Sequence, residues 1–269
     1  MKPLLSCLAL LLIGFVSSSL YAQSSHPELS KEELKKNKIK SISEDTQSPC
    51  DFDRSNAAPN RGGWASNGSS YDARGNQTSN SHYSTWEGRG YKNYYNYDDK
   101  DNLVEEGGPG LKRRVEHKIT RNDQGKILED IHDGWRHTFK YNAAGNLIES
   151  AVFHTGDGGL LDRETYNDKG DLIEAVDGTQ KIVYTYDGTG HRTKRERYST
   201  TGGLISIFVY AYDEAGHNIK EEEFASDGKT LKGWSTYKLD AKGLVTEVSD
   251  FDADGKCKLL MKTTYEFYP

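Results

Sequence analysis

The chain has 269 residues, with 35 Lys and Arg against 41 Asp and Glu and a formal net charge of −6. That balance repels duplex nucleic acid, and no basic patch interleaved with aromatics offsets it. Hydrophobic residues make up only 34% while tyrosine contributes 17 residues, which argues against a thick two-layer core and for a thin sheet covered by amphipathic rings.

Residues 1–22 open with M-K-P, continue as an apolar run of about a dozen residues and close on small residues, the pattern of a secretory signal peptide cut after Ala22. The run is shorter than the ~20 residues a spanning helix needs. Maturation removes Lys2 alone among the charged residues. The expected product is exported to the periplasm, outer surface or medium and is not an integral membrane protein.

Residues 23–70 read as a leader followed by an irregular segment. The charged stretch before residue 38 suits a short helix or mobile leader, and Ile39 to Ser43 reads as a strand. From Cys50 to Gly90 the chain is rich in Gly, Asn and Ser, which predicts irregular backbone. After signal removal only Cys50 and Cys257 remain. In an oxidising compartment they can pair, but pairing requires the two ends of the chain to meet, and nothing in the spacing decides this.

Residues 71–269 carry a recurring phrase, Tyr-Asp/Asn-x-x-Gly. It is strongest at Tyr141, Tyr166, Tyr186 and Tyr212, with weaker copies at Tyr71, Tyr97, Asn122, Leu239 and Phe251. The marker positions Gly75, Asp101, Gly125, Gly145, Gly170, Gly190, Gly216 and Gly243 are separated by steps of 20 to 27 residues, the length of a repeated supersecondary unit. Secondary turns at 155–159, 200–203, 226–229 and 252–256 divide these steps into one strand plus one turn. Within the phrase, Asp or Asn bonds the backbone two residues on and Gly accepts positive φ, closing a hairpin by a type I turn and a glycine bulge. The predicted fold is all-β, an antiparallel meander of stacked hairpins forming a curved extended sheet or an open barrel-like array. In the last strand, Cys257 to Phe267, alternate residues face a core and a wet surface, whereas Leu204 to Tyr212 is apolar on both faces and is expected to be covered on both sides.

The phrases Y-N-A-A-G-N-L-I-E and Y-D-E-A-G-H-N-I-K-E resemble YD repeats of the Rhs type over roughly residues 71 to 260. The resemblance implies β-sheet shells or extended surface proteins, associated with ligand or carbohydrate binding and with toxin delivery. The chain carries no D-P-x-G-L-type core signature and no toxin-sized domain after the repeats, so an enclosing shell is not expected.

Several residue sets are candidates for chemistry. Tyr141, Tyr166, Tyr186 and Tyr212, with Tyr97, form either an aromatic stripe for sugar rings or a cover packed over the following Leu or Ile. Glu149, Glu174 and Glu221, together with Glu105, Glu129, Glu196 and Glu247, form either an acidic stripe or a ladder paired with Lys, Arg or Tyr. In six of these seven an apolar residue lies two places earlier, which predicts a shared face. No two glutamates stand apart as unequal acid and nucleophile, so a glycosidase is not expected. Asp250, Asp252 and Asp254 match the opening of a calcium loop, but the twelfth position is Met261, leaving an acidic hairpin turn or a weak structural calcium site. His132 and His137 lack further zinc ligands at a recognisable spacing and read as surface turn histidines. The expected function is a non-enzymatic binding module for glycan or envelope protein, with a structural part in an envelope or secretion assembly as the alternative. No cofactor is expected.

Overall fold

The computed structural model describes residues 29–51, 63–85, 89–108 and 113–269. The signal peptide of residues 1–22 lies outside them. The chain forms two compact units, one of residues up to Arg114 together with Trp234–Pro269, the other of Val115–Gly233.

The described elements are one short helix, α1 (Lys31–Lys36), and strands that pair antiparallel. In chain order these are β1 (Ile39–Ser48), β2 (Gly63–Tyr71), β3 (Gln77–Ser84), β4 (Arg89–Tyr97), β5 (Leu103–Gly107) and β6 (Arg113–Arg114). Then follow β7 (Lys118–Arg121), β8 (Ile127–His132), β9 (Trp135–Tyr141), β10 (Leu147–His154), β11 (Leu160–Tyr166), β12 (Leu172–Asp177), β13 (Gln180–Tyr186), β14 (Arg192–Ser199), β15 (Leu204–Tyr212) and β16 (Asn218–Ala225). The last are β17 (Leu231–Leu239), β18 (Val245–Asp252) and β19 (Cys257–Phe267). The protein is therefore all-β, an antiparallel meander of hairpins.

In the first unit one described pairing joins strands that are not consecutive. The N-terminal strand β1 lies between β2 and the C-terminal strand β19, pairing with both. Its register with β19 reaches Gln47 opposite Leu260, and continuing it by three residues sets Cys50 opposite Cys257. Those two cysteines form a disulfide with Cα atoms 5.7 Å apart, so the ends of the array do meet. At the other end of β1 Ser30 caps α1 in a capping box with Glu33, and Leu34 packs with Ile39 and Leu244. A second cluster joins Tyr237, Val245, Val248 and Met261. The buried core is thin, as the sparse aliphatic composition requires.

Two expectations fail. Residues 63–71 and 77–84 are strands where the Gly, Asn and Ser content predicted irregular backbone, because cross-strand pairing on both sides supplies the hydrogen bonds that weak β-propensity does not. Strand β15 is covered on one face only: Ser206 and Phe208 are buried, but Ile205 and Val209 are 39% and 40% exposed. Strand β19 behaves as expected, with Met261 and Thr263 buried and Lys258 and Lys262 exposed.

In the second unit β7 to β10 and β10 to β16 pair in sequence. Each turn phrase closes as predicted. In the copy at Tyr166, the Gly170 N–H donates to the Asn167 carbonyl at 3.0 Å and the Asn167 side chain accepts from the N–H of Lys169 at 2.9 Å and of Asp171 at 3.0 Å. Gly170 has φ +90° and the equivalent Asp101 has φ +63°, the left-handed region that glycine enters without cost and Asp or Asn tolerate.

Candidate functional site

The turn tyrosines are held by their hydroxyls. Tyr141 donates to the Ile127 carbonyl at 3.0 Å, Tyr186 to the Leu172 carbonyl at 2.8 Å and Tyr212 to the Arg192 carbonyl at 2.8 Å. Tyr166 instead donates to the Glu164 carboxylate, and burial raises its pKa. Hydroxyls committed to the protein are not free to meet a ligand, and the rings are partly buried.

Pairing places Glu129, Glu149, Glu174 and Glu196 on one face of their sheet and Glu221 on the other. A bulge follows the turn at Tyr141, so that Leu147 pairs with Tyr141 while Glu149 pairs with Lys140. Tyr141 and Lys140 are neighbours and face opposite ways, so Leu147 and Glu149 do too; the shared face expected from their two-residue spacing is undone by the extra residue, Ile148. The same holds for Leu172 and Glu174, opposite Tyr166 and Thr165. Glu221 pairs with Tyr210, which puts it on the face of Tyr212, opposite to that of Lys220.

Cations lie against these carboxylates. Glu149 meets Lys140 at 2.7 Å, Glu174 meets Arg163 at 3.3 Å and Lys181 at 3.6 Å, and Glu221 meets Arg195 at 2.6 Å. Further along, Glu129 meets Arg136 at 3.7 Å, Glu196 meets Lys194 at 3.1 Å and Glu247 meets Lys238 at 2.5 Å. Glu105 accepts from the Asn96 amide at 3.3 Å.

Asp250, Asp252 and Asp254 do not converge. Asp252 is the first residue of its turn, one oxygen accepting the Lys256 N–H at 2.9 Å and the other facing the Lys258 ammonium at 2.9 Å. Asp250 lies in β18, where burial raises its pKa and Oδ1 has no hydrogen-bond partner. Asp254 is exposed on the turn.

Pairing brings together two sets that sequence spacing did not show. On one face of β13 to β15, the Arg192 guanidinium lies 4.4 Å from the Tyr184 ring and 5.8 Å from that of Tyr210. Arg195 stacks on Phe208 at 3.8 Å. Burial pushes the Tyr210 hydroxyl up to about 12. On β3 and β4, Tyr83, Tyr91 and Tyr94 are 45%, 54% and 50% exposed. Tyr83 pairs with Gly90 and Ser79 with Tyr94, so Tyr83, Tyr94 and the exposed Lys92 share a face, with Ser79 and Ser81 between. Tyr91 lies on the other face against the His82 ring, at 5.5 Å. Three exposed tyrosines in two adjacent strands are a signal the sequence did contain, but they fall outside the turn phrase.

No family model and no curated protein matches the chain. Among solved structures, a chain of the TcdB2-TccC3-Cdc42 complex matches at 13% identity and a TM-score of 0.37 over 84% of this chain. This chain spans about 16% of that one. A porin-like protein from Bacteroides uniformis matches at 11% identity and a TM-score of 0.44, covering 86% of this chain and 97% of that one. A second, from Bacteroides vulgatus, matches at 8% identity and a TM-score of 0.33, covering 86% and 98%. Likenesses at these scores carry no functional argument. Among the described residues no helix is long and apolar enough to cross a membrane.

Proposed function

We propose that the protein is an exported, non-enzymatic YD-type repeat module that binds a glycan on the face of β3 and β4 bearing Tyr83 and Tyr94. The observation that supports this reading is the exposure of those rings, 45% and 50%, beside the hydroxyls of Ser79 and Ser81. Gly90, which pairs with Tyr83, and Tyr94 are four residues apart on one strand, roughly 13 Å at the usual rise. Flat aromatic rings with polar groups between them suit the apolar faces and hydroxyls of sugar rings. The signal-like segment 1–22 supports export, and the ion pairing of the glutamates supports a non-enzymatic role, since it leaves none of them distinguished for proton transfer.

A glycan array with the mature chain tests the reading. Saturable binding that is lost in Tyr83→Ala and Tyr94→Ala and kept in Tyr212→Phe supports it. A stable co-purifying envelope protein with no glycan signal favours the assembly role instead.

A further inference from the structure

Three strands of the second unit bring together histidines that are far apart or badly spaced in the chain. Strands β8 and β9 are joined by Asp133 and Gly134, with φ +49° and +85°, the two-residue turn in which both central residues are left-handed. This tight turn sets Asp130 opposite His137, so Asp130, His132 and His137 lie on one face. Lys118 pairs with Ile131, which brings His117, the residue before it, alongside His132.

The side chains converge there. The His117 Nδ1 lies 2.9 Å from both oxygens of Asp130. The rings of His117 and His132 are 4.5 Å apart, and His137 stacks on His132 at 5.1 Å. One donor atom from each of His117, Asp130 and His132 falls within 4.8 Å of the others. The cluster is sheltered, with side-chain exposures of 13%, 17% and 21% for His117, Asp130 and His132. The His132 Nδ1 is buried with no hydrogen-bond partner, its nearest carboxylate oxygen on Asp133 being 3.7 Å away. A surface-turn reading of these histidines therefore fails: His137 is only 9% exposed, Asp130 lies on the face of β8 that carries His132, and His117 comes from the start of the neighbouring β7.

We propose that His117, Asp130 and His132 form a transition-metal site of the zinc(II) class, with His137 as a positioning residue stacked on the ring of His132. Two imidazoles and a carboxylate are the borderline nitrogen and oxygen donors that zinc prefers over calcium or magnesium. Rotation of these side chains closes the 4.8 Å spread onto metal bonds of about 2.0 to 2.2 Å. A partnerless buried imidazole nitrogen is costly unless something accepts or donates there, and a metal ion removes that cost. Three protein donors leave a fourth position for water or an outside ligand.

Zinc uptake by the tag-free mature chain tests this, read as bound zinc per chain after gel filtration and by titration calorimetry. The expected result is one equivalent at neutral pH, with affinity falling by at least about tenfold in His132→Ala and Asp130→Asn and unchanged in His217→Ala, which alters a half-buried turn histidine paired with Asp213. Circular dichroism checks that the variants fold; if His132→Ala does not, His132→Gln and Asp130→Asn carry the comparison. Substitution by cobalt(II) should give visible absorption of a four-coordinate nitrogen and oxygen site. The proposal is overturned if the folded chain takes up no zinc, or if His217→Ala weakens binding as much as His132→Ala.

Discussion

The Tyr212 hydroxyl donates to the carbonyl of Arg192, twenty residues upstream in the preceding repeat, at 2.8 Å. The ladder between their strands ends at Lys194 opposite Val209, so the carbonyl lies two residues beyond the last pair and the tyrosine three. Tyr141 with Ile127, Tyr186 with Leu172 and Tyr265 with Val245 repeat this offset, beyond pairs Glu129 and Thr138, Glu174 and Val183, and Glu247 and Lys262. The ring thus bridges to a carbonyl that the bulge leaves outside the ladder. Tyr212→Phe should destabilise the protein by about 1 kcal/mol, measured by urea unfolding, with Tyr186→Phe giving a similar loss. Unchanged midpoints in both would show that water replaces the hydroxyl without cost.

Gly170 tests the turn itself. It has φ +90° and open space where a Cβ would stand, so Gly170→Ala reports backbone strain alone. The expected cost is roughly 1 to 2 kcal/mol. Gly170→Asn should cost less, since Asp101 already occupies the equivalent position at φ +63°. Gly216→Ala should cost more than Gly170→Ala, because its Cβ would meet the His191 ring 2.7 Å away. Equal losses at the two positions would show that the ring moves aside freely.

The disulfide between Cys50 and Cys257 closes a sequence separation of 207 residues. In the chain-entropy account such a link is worth about 5 kcal/mol. The oxidised protein should show no free thiol in denaturant, and Cys50→Ser/Cys257→Ser should melt well below it. A free-thiol count of two in the exported protein would contradict the pairing.

Acid should loosen the turns in a defined window. The Asp227 carboxyl is held down to about 2 by the Thr230 hydroxyl, then by the backbone N–H groups of Thr230 and Lys229. Its folded value is below its unfolded one, so its contribution is present above the ordinary carboxylate range of about 4 and is lost as pH falls toward 2. Thr230→Val removes the leading donor. The Asp227 titration followed by NMR should then move upward, and an unmoved titration would assign the effect to the backbone alone.

Asp250 has the opposite sign. Burial raises its folded pKa, so its ionised form opposes folding at neutral pH and the penalty fades as pH falls through the carboxylate range. Asp250→Asn should raise the melting temperature at pH 7, with the gain shrinking at pH 4. Calcium should leave the wild-type melting temperature unchanged, because Asp252 is occupied by the Lys256 N–H and Lys258. A calcium-dependent rise would revive a cation site at this turn.

Much of the architecture was legible in the residues because hairpin closure is local. Asp or Asn, two spacers and Gly form a turn from their own hydrogen bonds and dihedral freedom, so marker positions such as Gly145, Gly190, Gly216 and Gly243 were identified and all have positive φ. Alternation in Cys257 to Phe267 likewise reports burial of Met261 and Thr263. The strands at 63–71 and 77–84 were not legible, since their stability rests on neighbours rather than on their own composition.

The chain's own pattern was sufficient for the repeat, its turns and the antiparallel meander, all interactions among residues within about one repeat of each other. Tertiary structure alone decided three things. It joined β1 to β19 and so let Cys50 meet Cys257. It inserted the bulges that turn Leu147 and Glu149 to opposite faces. It set His117, at the start of β7, alongside Asp130 and His132 of the adjacent β8. Each depends on register between strands, and register is set by the whole ladder and its neighbours, not by the identity of a residue and those beside it.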